Sequence, residues 1–271
     1  MIYLVDFRSS ETGGAVVPGI VVPAAGLGTE QQLRGETNLT FIVHGYNVSR
    51  QVGRESLLRA AKRLSTSHPV TYAAVLWPGD HWSRAISYPF EGRDADDSAT
   101  ALARYVHDVI VPGSQLSFAA HSLGARVVLG AVKRLHAGYS ISQVVLMAPA
   151  VDDTSVAHPG DYLSAVARAR RVAVLASKRD RVLGLAYPAG DLLQSFFFFT
   201  TDRAGMALGF HGPRRTPSHA IPTQVYHEQI PDARGSDHDH YLPGEPPTPN
   251  QVSAMTFARD VLQGALQPRY Q

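Results

Sequence analysis

The chain has no cysteine among its 271 residues. That absence excludes disulfides, thiolate metal sites and cysteine nucleophiles together. Runs of lysine or arginine are also missing: 25 basic and 23 acidic residues are interspersed, for a formal charge of +2. Without a basic face, nucleic acid is not an expected partner. No apolar run is long enough to span a bilayer, so no integral membrane segment is expected. The opening residues, Met1-Ile2-Tyr3-Leu4-Val5-Asp6-Phe7, lack the basic start, apolar core and small-residue cleavage site of a signal peptide. The expectation is a cytoplasmic chain. What is present is 44% hydrophobic content, enough to bury a large core as one α/β domain over residues 1–271.

Read in order, the apolar patterning alternates between strand and helix. Strands are expected over Ile2 to Phe7 and, after a turn at Thr12-Gly13-Gly14, over Ala15 to Val22. Pro18 restricts the second to an edge or bulged position. Residues 23–37 read as a solvated loop. Leu39 to Val43 is a buried strand, followed by a helix from Ser49 to Leu64 and a strand from Val70 to Trp77. An irregular aromatic loop (His81 to Phe90) precedes a helix from Asp94 to Val109. Further strands are expected at Gln115 to Ala119, Ile141 to Met147, Arg171 to Ala176 and Thr223 to Gln229. Between them lie helices over Ala125 to Leu135 and around Tyr162 to Ala169, and a closing helix runs from Gln251 to Leu262. This βαβ spacing implies a mostly parallel central sheet with helices on both faces.

Ala120-His121-Ser122-Leu123-Gly124 joins an apolar strand to an apolar helix. A serine in so sharp a turn exposes its Oγ, provided the residues two before and two after are small enough for strand and helix to approach. Gly124 meets that need fully, and Ala120 nearly. The plainer role for Ser122 is a helix N-cap.

In a parallel sheet, sites gather at the carboxyl ends of the strands. Four polar clusters fall there: His44–Asn47, Ser122, Asp180 and His238–His240. Their order, Ser then Asp then His, suits a serine nucleophile, an orienting acid and an imidazole base. Asp180 could instead cap a short helix starting at Arg181, and Asp152, after the preceding strand, is its rival as the acid. The base could be His238 or His240. Because they alternate along the chain, the two cannot point the same way if the loop is extended. An oxyanion would need backbone N–H donors from the residue after the nucleophile and from an earlier loop, here Leu123 and Tyr46.

Several segments together resemble the α/β-hydrolases of the serine esterase and lipase type. They are Phe41-Ile42-Val43-His44-Gly45-Tyr46-Asn47-Val48, Trp77-Pro78-Gly79, Ala120 to Val127 and Ala148-Pro149-Ala150-Val151-Asp152. Ser177-Lys178-Arg179-Asp180-Arg181-Val182-Leu183 and Asp237-His238-Asp239-His240-Tyr241 complete the set. The chain is similar in particular to a bacterial family of this fold whose function is unassigned. The resemblance implies an α/β-hydrolase fold, with Ser122, Asp180 and His238 as a catalytic triad. It also implies an esterase-like activity whose substrate the family leaves undefined. The expected substrate is a small ester with an apolar acyl part, and no cofactor and no metal are expected.

Residues 186–222 stand out as an irregular excursion, containing Ser195-Phe196-Phe197-Phe198-Phe199-Thr200. Four adjacent aromatics fit either a segment buried on both faces or an acyl-pocket wall or cap. Two other functions compete with ester hydrolysis. One is a metal-dependent hydrolase using the His238/His240 cluster; the other is a non-catalytic relative acting as a binding module.

Overall fold

The computed structural model describes residues 1–11, 14–65, 70–79, 88–185, 206–266 and 268. Among them is an eight-stranded sheet: β1 (Ile2–Arg8), β2 (Val16–Val21), β3 (Asn38–Val43), β4 (Thr71–Leu76), β5 (Gln115–His121), β6 (Ser140–Met147), β7 (Ala169–Ser177) and β8 (Val225–Ile230). The spatial order is β2-β1-β4-β3-β5-β6-β7-β8. β1 and β2 pair antiparallel and every other pairing is parallel. β2 carries Pro18 and lies at one edge, where its missing N–H costs no ladder bond.

All six residues of β4, five of six in β3 and six of seven in β5 are buried. Side chains pointing both ways from these strands are therefore covered, as a parallel sheet flanked by helices requires. Phe41 of β3 and Phe118 of β5, paired in register, stack with ring centroids 5.4 Å apart.

The helices are α1 (Glu30–Leu33), α2 (Arg50–Leu64), α3 (Tyr88–Val109), α4 (Gly124–Arg134), α5 (Leu163–Arg168), α6 (Arg181–Leu185), α7 (Leu208–His211) and α8 (Pro249–Leu262). Three differ from the sequence expectation, one of them α7, a short helix inside the segment read as an irregular excursion. The expected loop at 23–37 contains α1, closed by a Thr29/Gln32 capping box and anchored by buried Leu33. α3 begins at Tyr88 rather than Asp94, so the end of the expected aromatic loop is helical. Part of that loop, and the Phe196–Phe199 run, lie outside the described residues. No described helix is long and apolar enough to cross a membrane.

The chain leaves β3 through α2 to β4, then crosses back over β3 to β5 and continues to β8. The winding reverses between β3 and β5, and such a switch point opens a crevice at the carboxyl ends of the strands. The loop after β3 begins at His44 and the turn after β5 holds Ser122.

Candidate active site

Ser122 has φ of 53°, a left-handed conformation that only the tight turn from β5 to α4 demands. For a residue with a Cβ this costs on the order of 1–2 kcal/mol. Three backbone bonds hold it: Ser122 N–H donates to the Met147 carbonyl at 3.0 Å, while its carbonyl accepts from Ala125 at 3.0 Å and Ala150 at 3.1 Å. The small-residue requirement has a concrete origin. A Cβ on Gly124 would stand 2.4 Å from the His44 carbonyl oxygen, and one on Gly45 would stand 2.9 Å from the Ser122 Cβ. The loop after β3 and the turn after β5 thus press together, with a glycine from each side. Ser122 is not the N-cap of α4. That position belongs to Leu123, with no side-chain capping bond.

The Ser122 hydroxyl meets His238. Its Oγ lies 2.8 Å from His238 Nε2, and His238 Nδ1 lies 2.8 Å from Asp180 Oδ2. A carboxylate can only accept, so the proton sits on Nδ1 and leaves Nε2 free to accept the serine O–H. Asp180 is fully buried. Both alternatives read for it hold at once: Oδ1 accepts from the Leu183 N–H at 2.9 Å, capping α6, while Oδ2 faces the imidazole.

The histidine loop is tied to the acid turn at several points. Asp237 Oδ1 accepts from the His238 N–H at 2.9 Å and from the Arg181 N–H at 3.0 Å. Burial alone would raise the Asp237 pKa, but those two backbone donors, together with the Arg181 and His240 charges, hold the carboxyl below its ordinary value. Ser177 Oγ donates to the Ser236 carbonyl at 2.7 Å. His121 closes the other side. Its Nε2–H donates to the His238 carbonyl at 2.9 Å, and its ring lies 4.9 Å from that of His238 and 5.6 Å from buried Tyr241. Burial, then the neighbouring His238 charge, push the His121 pKa well below the usual value, so it stays neutral. Sequence reading gave no role to His121, and considered Asp237 only within the His238/His240 cluster as a candidate metal ligand; adjacency to Ser122 and His238 was the available signal for the contacts seen here.

The rival residues have other partners. Asp152 Oδ1 accepts from Thr154 N–H at 2.8 Å and from Thr154 Oγ1–H at 2.6 Å, a local turn. His240 Nδ1 accepts from the Asp237 N–H at 3.0 Å. The loop is a turn rather than extended, since His240 N–H also donates to the Asp237 carbonyl at 3.0 Å. No group of three or more His, Asp or Glu side chains among the described residues is placed to hold a metal ion.

The loop carrying Tyr46 is fixed at its start by His44. Trp77 N–H donates to His44 Nε2 at 3.3 Å, and Trp77 Nε1–H donates to the His44 carbonyl at 2.8 Å. Nδ1 therefore carries the proton and donates to the Gly45 carbonyl at 2.7 Å. Burial, aided by the charge of Arg8, pushes the His44 pKa down to about 4. Further on, Asn47 takes φ of 58° and donates its N–H to the Gly79 carbonyl at 2.5 Å. Tyr46 is held between these anchors, beside Gly45 and its contact with Ser122. Leu123 follows Ser122 directly.

Among solved structures, the crystal structure of esterase PE8 is similar with a TM-score of 0.47 at 15% identity, covering 86% of this chain and 95% of that one. None of the curated proteins matches the sequence. The model of the family described as alpha/beta hydrolase of unknown function (DUF900) matches residues 27–191, a span that takes in β3 to β7, the loop after β3, Ser122 and Asp180. With more than half of its length matched, the chain belongs to that α/β-hydrolase family.

Proposed function

We propose that this α/β-hydrolase is a serine carboxylic-ester hydrolase, working through an acyl-serine intermediate on small esters with an apolar acyl part. His238 Nε2 takes the Ser122 proton as Oγ attacks the ester carbonyl carbon, giving a tetrahedral oxyanion. Asp180 keeps the imidazole in the required tautomer and faces the positive charge it acquires. The N–H groups of Leu123 and Tyr46 face the oxyanion in this reading, where losing one donor costs roughly 2.7–4 kcal/mol. Collapse of the intermediate breaks the bond to the alkoxide, which leaves as the alcohol with the proton held by His238. Water then attacks the acyl-serine, gives its proton to His238, and releases the acid while Ser122 recovers its hydrogen.

The observation that carries the reading is one imidazole bridging the Ser122 hydroxyl and a buried carboxylate, each at 2.8 Å. The apolar acyl preference draws support from buried Leu123, which follows Ser122, and buried Ala150, whose N–H donates to the Ser122 carbonyl. Cytoplasmic location belongs to the same proposal. The test is hydrolysis of p-nitrophenyl esters by the wild type and by Ser122→Ala. Loss of the nucleophile should reduce turnover by roughly 10⁶. Unchanged turnover in a folded Ser122→Ala protein would rule out the serine mechanism.

A further inference from the structure

The N-terminal hairpin ends in a set of charged side chains that the ester-hydrolase reading does not use. Asp6 and Arg8 lie at the carboxyl end of β1, ahead of residue 27 where the family match begins, and both are buried, at 1% and 5% exposure. A chain rarely buries such charges without a purpose for their geometry, because desolvation costs several kcal/mol per ion before any pairing is counted. Among the described contacts, two reach the exit of the loop that carries Tyr46. Arg8 Nη1 donates to the Val48 carbonyl at 3.1 Å. Asp6 Oδ1 accepts from the Arg8 N–H at 2.9 Å, and Asp6 Oδ2 accepts from Arg50 Nε at 2.6 Å. Arg50 is the first residue of α2, and its Nη1 reaches Glu11 at 2.5 Å.

The loop between β3 and α2 is therefore held at three places. Trp77 fixes its start through His44, Gly79 fixes Asn47 at the turn, and the Asp6–Arg8–Arg50 set fixes its exit at Val48 and Arg50. The first two anchors come from the segment that follows β4, the strand beside β3. The third comes from the hairpin. Tyr46 lies between them, and a backbone N–H can face a developing oxyanion usefully only if its peptide does not move during the reaction.

We infer that Asp6, Arg8 and Arg50 are positioning residues for the oxyanion loop, so that the N-terminal hairpin is a working part of the active site rather than an edge of the sheet alone. The inference rests on the ester-hydrolase reading. Asp6 and Arg8 do not touch substrate; they act through Val48 and Arg50 on the Tyr46 peptide. A loosened loop would still admit substrate, so the loss falls on the transition state and not on ground-state binding.

The test compares wild type with Arg8→Met, Arg8→Lys and Arg50→Gln, each normalised to active sites titrated with a fluorophosphonate. Arg8→Met should lower kcat by about 10–100-fold, short of the 10²–10³ for deleting a donor outright, with KM within about threefold. The inhibition constant of a trifluoromethyl ketone, whose serine adduct carries an oxyanion, should rise by the same factor as kcat falls. Arg8→Lys, which keeps a donor for the Val48 carbonyl, should recover part of the loss. Arg50→Gln should show the same pattern more weakly, and it and Arg8→Lys decide the matter if Arg8→Met does not fold. Wild-type kcat and ketone affinity in the folded variants would overturn the inference, as would a loss confined to the fraction of folded protein. A wild-type protein that neither hydrolyses esters nor binds the ketone would instead refute the ester-hydrolase reading, and this inference with it.

Discussion

Replacing Asp180 by asparagine is the most informative single change at the site, because its two oxygens face different partners. Oδ1 accepts the Leu183 N–H at 2.9 Å and Oδ2 meets His238 Nδ1 at 2.8 Å. In Asp180→Asn, the amide oxygen satisfies Leu183 only if the NH₂ turns toward His238. Nδ1 must then accept, the ring proton moves to Nε2, and the base can no longer take a proton from Ser122. Flipping the amide restores the tautomer but sets NH₂ against the Leu183 N–H, leaving buried donors unpaired at about 1–3 kcal/mol. That population penalty alone is roughly 5- to 150-fold, at 1.36 kcal/mol per decade. Loss of the anion facing the imidazolium supplies the rest, for a total near 10⁴ in kcat as in other triads. The assay is kcat and KM on p-nitrophenyl esters, with circular dichroism to confirm folding. Asp152→Asn is the control, since an asparagine oxygen can accept the same two Thr154 donors. A larger loss for Asp152→Asn than for Asp180→Asn would refute the assignment of the acid.

Gly124→Ala should cost roughly 1–3 kcal/mol in urea denaturation, the usual scale of overpacking, because its Cβ would lie 2.4 Å from a His44 carbonyl that Trp77 holds in place; a neutral substitution would mean the elbow is looser than described. His240→Ala should keep most activity, since its ring meets the Asp237 N–H and not Ser122, whereas His238→Ala should abolish burst-phase acylation; the reverse outcome moves the base by two residues. Stability should depend on pH below neutrality. His44 titrates near 6.5 unfolded and about 4 folded, so the unfolded chain binds the extra proton first. Stability is full above about 6.5 and falls as pH drops toward 4, by roughly 3 kcal/mol from this group, with buried His121 pulling the same way. A urea midpoint unchanged between pH 7 and pH 4.5 would contradict the burial of these rings as neutral species.

The sheet was legible from the chain because its central strands are short apolar runs with turn residues at both ends, and parallel pairing puts the carboxyl ends of all described strands but β2 on one side. That is why Ser122, Asp180 and His238 could be grouped before any geometry was known. The Ser-x-x-Asp-x-x-Leu spacing has a physical reason: the Asp180 carboxylate accepts the Leu183 N–H and caps the short helix, while Ser177 Oγ ties the turn to Ser236. What escaped the sequence depends on contacts between distant segments. Nothing near His121 announces that it donates to the His238 carbonyl, 117 residues away. Arg8 falls just past the strand expected over Ile2 to Phe7, and only the β1–β4–β3 adjacency brings it to Val48. That His238 rather than His240 faces Ser122 depends on a tight turn closed by Asp237, which alternation in an extended loop does not describe. α1 was missed because its four residues carry one apolar side chain, too few for any periodicity.

The central claim, that Ser122 is a nucleophile activated by His238, is tested most directly by treating the wild type, Ser122→Ala and His238→Ala with a fluorophosphonate and locating the adduct by mass spectrometry. Each sample is run with and without a chelator. The account predicts one adduct per wild-type chain, on the peptide containing Ser122 and indifferent to the chelator. It predicts none on Ser122→Ala and a rate reduced by orders of magnitude on His238→Ala. An adduct on another residue, or equal labelling of folded wild type and His238→Ala, would contradict it.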